Sequence, residues 1–196
     1  EVTQTKILED NRDAIQTTLQ QASRSFDVVI TTGGASRGSE DHMLAALDKV
    51  GKRHLWQLAV KPGRPMMFGQ IPHADDANDC FYFGLPGNPV AAMVCFLLYV
   101  RPAILKLGGA DWHEPPRFPL PAAFEISKKK PDRREFLRGI LSQNADGEVQ
   151  VKKFDRDGSG LISSLRLADG LIEIREEATS IEKGQLVNFI PFSSFD

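Results

Sequence analysis

The stretch that decides the fold is "FDVVITTGGASRGSEDHMLAALDKV", residues 26–50. The mostly apolar run from Phe26 to Thr32 reads as a buried strand. Leu44, Leu47 and Val50 recur at helical spacing, and Gly51 stops that helix. Between them lie Gly33, Gly34, Ser36, Gly38 and Asp41. In a doubly wound sheet, ligands bind beyond the carboxyl ends of the strands, which is where such a turn falls. Without Cβ atoms, Gly33 and Gly34 let backbone N–H groups approach an anion closely. Ser36 adds a hydroxyl, and the following helix points its positive N-terminus at the same place. Asp41, in the first turn of that helix, supplies a carboxylate for a metal ion. The turn is suited to phosphate, although a plain strand–turn–helix uses the same residue types.

Working outward, the first half alternates strand and helix signals. "VTQTKIL" is strand-like, and Ile15, Leu19 and Ala22 mark an amphipathic helix. "HLWQLAV", "MMFGQI" and "CFYFGL" read as strands, and residues 89–107 read as a long helix ending at Gly108-Gly109. This alternation predicts an α/β fold, a doubly wound, mostly parallel sheet with helices on both faces. "GGADWHEPPRFPLP" holds four prolines and reads as a linker. After it come "AAFEIS", "REFLRGIL", "EVQVKKF", "GLIEIR" and "QLVNFIPF", with "NADG" as a hairpin turn. The expected organisation is an α/β domain over residues 1–109, a linker over 110–117 and a small all-β, barrel-like domain over 118–196.

Composition narrows the function. A net charge of −2 gives no general attraction to nucleic acid or to a membrane. The run "VAAMVCFLLYV" is too short to span a bilayer. Cys80 and Cys95 form no CxxC pair and read as reduced, buried thiols of a cytoplasmic protein. The four histidines lack metal-ligand spacing.

Several other motifs carry chemistry. In "GLPGNPVAAM", Asn88 is a helix N-cap and Pro89 suits the first helical position, beside Pro86 and Gly87. "KPGRP" sets Lys61 and Arg64 on a proline-bracketed loop, where two cations can meet anionic oxygens. Asp10 reads either as a helix cap or as a carboxylate that shares Mg²⁺ with Asp41. Gly34 to Gly38 also fits the G-x-S-x-G nucleophile elbow, but the only late histidine, His113, sits in the linker. "DRDGSGLISSLR" starts like a calcium loop, yet Arg166 stands where a bidentate glutamate belongs. "KKKPDRR" reads as a solvated loop.

Taken together, "DVVITTGGASRGSEDHM", "LAVKPGRPMMFG", "FGLPGNPVAAMVCF", "REFLRGIL", "NADG" and "GSGLISSLRLADGLIEI" resemble the MoeA family of molybdopterin molybdenumtransferases, with the gephyrin E domain. They occur in family order over nearly the whole chain. The first signature is shared with MogA-type adenylyltransferases, and the later ones resemble MoeA specifically.

The resemblance implies a transferase of molybdenum cofactor biosynthesis. It would insert molybdenum from molybdate into adenylylated molybdopterin and release AMP with Mg²⁺. It implies catalytic roles for Asp10, Asp41 and Lys61, with Asp10 and Asp41 at the metal. The substrates would lie on Gly33, Gly34, Ser36, Gly38, Arg64, Pro86, Gly87, Asn88, Pro89, Arg138 and Ser159. From the residues alone, Arg138 reads equally as a sheet-surface residue and Ser159 as a turn residue. Two positions depart from the pattern: Gln57 stands where some relatives carry lysine, and Arg64 where others do. The resemblance further implies a homodimer and contact with an adenylyltransferase. It makes this chain the C-terminal half of the enzyme, without its first sheet strand, binding ligand without turnover on its own. The alternatives are a MogA-like adenylyltransferase and a gephyrin-like scaffold.

Overall fold

The computed structural model describes residues 2–34, 42–73, 79–154 and 162–195. By contact the chain forms two compact units. One comprises Glu1–Gln57 and Pro65–Gly87, the other Leu58–Arg64 and Asn88–Asp196.

The first unit has a four-stranded sheet in the order β1 (Val28–Thr32), β5 (Cys80–Leu85), β4 (Met67–Ile71), β2 (Lys52–Trp56). β1 and β5 are parallel, in register from Val28↔Phe81 to Thr32↔Leu85. β4 runs antiparallel to both β5 and β2. The α/β class is therefore present as a mixed sheet, and parallel pairing within it is confined to β1–β5. The described residues linking β2, β4 and β5 hold no helix, and returns without a crossover element favour antiparallel neighbours. Helices α1 (Arg12–Ser23) and α2 (His42–Val50) share one core. Ile15 and Leu19 pack there with Ala46, Leu47, Met67, Ile71 and Tyr82.

The strand expected at "VTQTKIL" does not form. Residues 2–9 are coil, with Val2 and Ile7 exposed. A strand is stable only beside a neighbour, and no described strand pairs with this segment.

In the second unit, β7 (Arg134–Gln143) pairs along one edge with β9 (Gly170–Ile174). Its other edge takes β3 (Val60–Lys61) near its start and β8 (Val149–Lys153) near its end. The order continues β9–β10 (Leu186–Pro191)–β6 (Phe118–Pro121). An Ala122↔Val151 bridge joins the end of β6 back to β8, which closes the sheet into the small barrel that the sequence suggests. Its interior holds Ala122, Val151, Ile172, Ile174, Val187 and Phe189. Gly139 and Gly170 make room for one ring: a Cβ at either would come within 3.0 Å and 2.7 Å of Phe189.

The opposite face of β9 and β10 carries Leu171 and Ile190. They pack with Phe136, Val94 and Leu98. Val94 and Leu98 come from one continuous helical run made of α3 (Pro89–Cys95), a π-turn (Phe96–Val100) and α4 (Arg101–Leu107). Pro102 explains the wide turn, because its ring has no N–H and would collide with the carbonyl four residues back in a regular α-helix. By length and hydropathy alone, Pro89–Leu107 could cross a membrane. Its buried positions are instead those of a core helix.

Phe189→Ala is expected to lower stability by about 3–5 kcal/mol, because it empties space that two glycines were spared to create. The shift in the denaturation midpoint of the barrel checks this, and a loss of less than about 1 kcal/mol would contradict the packing described.

Candidate functional site

In the first unit, two glycine turns meet at one end of the sheet. The Gly33 N–H donates to the Leu85 carbonyl at 3.0 Å, so β1 and β5 end level with each other. A Cβ on Gly87 would lie 3.3 Å from the Gly33 Cα, tighter than nearly all real side-chain contacts. Gly33 and Gly34 adopt φ of 88° and 65°, a region that disfavours residues bearing a Cβ. Beneath them the Thr31 and Tyr82 hydroxyls lie 2.6 Å apart, with Tyr82 fully buried.

Gly33, Gly34, Pro86 and Gly87 thus converge. Ser36, Gly38 and Asp41 lie outside the described residues, as does Ser159. The Asp10 carboxylate is exposed and receives no described hydrogen bond. It does not cap α1. Asn11 does, its Oδ1 accepting from the Asp13 and Ala14 N–H groups at 3.0 and 3.1 Å. The cap falls one residue later because Asn11 is the last residue with extended backbone (φ −133°, ψ 125°).

In the second unit, the Leu58–Arg64 loop is closed by the Leu58 N–H, which donates to the Arg64 carbonyl at 2.8 Å. The Lys61-Pro62 peptide is cis. Gly63 has φ of 113°, and a Cβ there would lie 2.4 Å from the Cys95 sulfur. The Cys95 thiol donates to the Gly63 carbonyl at 3.5 Å, so the loop rests on α3. Burial pushes this thiol up to about 12, which keeps it protonated.

Lys61 and Glu135 are register partners across β3 and β7, with Nζ 3.2 Å from Oε2. Arg64 is exposed. Asn88 caps α3, its Oδ1 accepting from the Val90 and Ala91 N–H groups at 3.1 and 3.2 Å, and Pro89 occupies the first turn. Arg138 is not a sheet-surface residue: it is 5% exposed, and its Nε donates to Ser164 Oγ of α5 (Ile162–Leu167) at 3.2 Å. A guanidinium from a central strand is covered there by the short helix.

Sequence reasoning missed Glu135, Cys95, Tyr82 and Ser164. Each acts across the fold, and only the register or the packing reveals it. Among the described residues, no group of three His, Cys, Asp or Glu side chains is placed to hold a metal.

A recess of about 340 Å³ in the second unit is lined by Glu114, Arg117, Arg134, Glu173 and Glu176, among others. Its arginines are paired with its glutamates. Arg117, Arg134 and Asn188 all donate to the buried Glu173 carboxylate. The Arg134 guanidinium, hydrogen-bonded to Glu176, draws that carboxyl down to about 2. This recess is a structural clamp.

The comparisons with known proteins agree with this architecture. Residues 1–106 match the family described as "Probable molybdopterin binding domain", and residues 120–192 match "MoeA C-terminal region (domain IV)". A molybdopterin molybdenumtransferase of Haemophilus influenzae is 36% identical over 98% of this chain and 46% of its own length. A gephyrin of Dictyostelium discoideum is 29% identical over 94% of this chain and 28% of its own. The crystal structure of a molybdopterin biosynthesis MoeA protein from Pyrococcus horikosii superposes with a TM-score of 0.73 at 25% identity, over 94% of this chain and 42% of that one. The chain therefore spans less than half the length of these relatives.

Two outcomes test the geometry. Gly63→Ala is expected to destabilise the second unit by more than about 1 kcal/mol, through positive φ and the clash with Cys95. Adding Cys95→Ala should recover only part of the loss, because the backbone strain remains. Full recovery in denaturant titrations would show that strain contributes nothing.

The second outcome concerns acid. The folded pKa of Glu176 lies below its ordinary value of 4.5. Its contribution is therefore fully present above pH 4.5 and is lost as pH falls toward 2. Glu176→Gln should flatten the stability–pH curve in that window alone, and an unchanged acid slope would contradict the pairing.

Proposed function

The chain belongs to the molybdopterin-binding family, and from that premise we propose that it is the ligand-holding half of a molybdopterin molybdenumtransferase. The observation that carries this reading is the meeting of the Gly33 and Gly87 turns at the ends of the parallel strands. Backbone there can approach a ligand phosphate without side chains in the way.

In this reading the Gly33–Gly34 backbone, with Ser36 and Gly38, holds the phosphates of adenylylated molybdopterin. Lys61 and Arg64, on a rigid loop, meet molybdate oxygens, Lys61 as a point charge and Arg64 with a fork of donors. Resemblance also assigns Arg138 and Ser159 to the substrate, with Arg138 lying beneath α5. Pro86 shapes the Gly87 turn, and Asn88 and Pro89 begin α3.

Asp10 and Asp41 would hold Mg²⁺. The exposed carboxylate of Asp10 fits, since Mg²⁺ takes one or two carboxylates and keeps water and phosphate oxygens. Bound there, the ion would offset negative charge on the phosphate as AMP is released. The chain's own groups orient the phosphate and hold the oxyanion.

The whole protein containing this chain is expected to release AMP from adenylylated molybdopterin when given molybdate and Mg²⁺. Asp41→Asn should abolish this release while leaving the fold intact. Molybdenum insertion by Asp41→Asn at ordinary Mg²⁺ would sink the metal assignment. AMP added to molybdopterin from ATP would point to an adenylyltransferase instead. Neither activity, with retained binding of a partner protein, would point to a scaffold.

A further inference from the structure

We propose that Glu135 restrains the Lys61 ammonium and sets how weakly the Leu58–Arg64 loop holds a tetrahedral oxyanion. This rests on the reading of Lys61 as an oxyanion contact. A carboxylate is a counter-intuitive neighbour for an anion site, yet it lies 3.2 Å from Lys61 Nζ. The β3–β7 register sets the two residues opposite one another.

Their exposures differ. The Glu135 side chain is 14% exposed and the Lys61 side chain 55%. The ammonium therefore reaches solvent, where a ligand can arrive, while the carboxylate stays behind it, largely out of water. The loop cannot easily carry Lys61 away, because it is closed by Leu58 and Arg64 and seated on Cys95.

Two effects compete. Glu135 limits the rotamers of Lys61, which saves entropy when a ligand binds. It also repels the arriving oxyanion, which offsets part of the ammonium's attraction for it, through a medium that screens less than bulk water. The electrostatic effect grows with ligand charge, whereas the entropic saving is partial for a side chain still half in water. Restraint wins. Such a site releases its cargo readily, as a donor of molybdate to a dithiolene must.

The test uses two tetrahedral oxyanions that differ in charge, molybdate (dianion) and perrhenate (monoanion), titrated by calorimetry into this chain. Because the Coulomb energy is linear in ligand charge while the lost rotamer restraint lowers both gains alike, the gain for the dianion should be at least the square of the gain for the monoanion. Glu135→Gln, nearly the same shape without the charge, is expected to tighten molybdate about tenfold and perrhenate about threefold. Glu135→Asp keeps the charge and should stay near the wild-type affinities. Equal gains for both anions, no gain, or weaker binding would overturn the restraint. Molybdate binding by the wild type without tightening in Glu135→Gln overturns this inference alone. Absence of binding in both proteins overturns it together with the oxyanion role of Lys61. Binding that appears only in Glu135→Gln supports it.

Discussion

The close fit of Gly87 against Gly33 constrains the candidate site. At Gly33 a Cβ would have space, and the constraint is the positive φ of 88°. With 3.3 Å between a would-be Cβ on Gly87 and the Gly33 Cα, a side chain at 87 would push the neighbouring turn by a few tenths of an ångström at the ends of β1 and β5. That pair is the sheet's parallel contact, and Gly33 is tied to Leu85 across it. Gly84 lies under the same constraint, since a Cβ there would fall 2.8 Å from Met67 Cε and 2.9 Å from the Tyr82 hydroxyl. The buried Tyr82, held to Thr31, thus sets the height at which both turns begin. Glycine at 33, 34 and 87 keeps the two turns uncovered by side chains, the Gly33 N–H itself being committed to Leu85.

Much of this was legible in the sequence, because the determinants are local. The helical spacing of Leu44, Leu47 and Val50 is realised in α2, and the Asn88-Pro89 start of α3 uses short-range capping chemistry. Asn144 turns the β7–β8 hairpin as "NADG" suggests, its Oδ1 accepting from the Asp146 and Glu148 N–H groups, with Gly147 at positive φ. What failed was non-local. "VTQTKIL" has the composition of a strand but no described strand beside it. Strand direction in the first sheet depends on connections that carry no signature of their own. Asp10 and Asn11 are both good caps, and only the backbone angles choose between them.

The candidate site residues divide in the same way. Gly33, Gly34, Pro86 and Gly87 were findable because turn chemistry names them. The Lys61 loop was findable because two prolines frame it. What holds that loop was not, since Cys95 lies thirty-two residues from Gly63 in sequence and Glu135 seventy-four from Lys61. Cys95 looks like any apolar helix residue until the fold sets its sulfur where a Cβ on residue 63 would be. In sequence Arg138 is equally at home on a sheet surface, because an alternating strand pattern does not foretell that a short helix will cover one of its positions.

Glu173 and Glu135 show how one residue type serves two ends on adjacent strands of the barrel unit. Glu173 on β9 is almost wholly buried and receives hydrogen bonds from Arg117, Arg134 and Asn188. A buried carboxylate is tolerable only with such compensation, and once compensated its charge is spent internally. Glu135 on β7 is also largely buried, but its described partner is one lysine that itself reaches solvent. Its charge is incompletely offset within the fold, so its field extends to whatever Lys61 meets. Clamps need saturated ion pairs. In the proposed reading, a site that takes up and gives back an anion uses an unsaturated one, where the carboxylate remains a competitor for the same ammonium. The two glutamates occupy opposite faces of one sheet. Alternation along the two strands therefore separates the charge that fixes the fold from the one that, in the proposed reading, acts on a ligand.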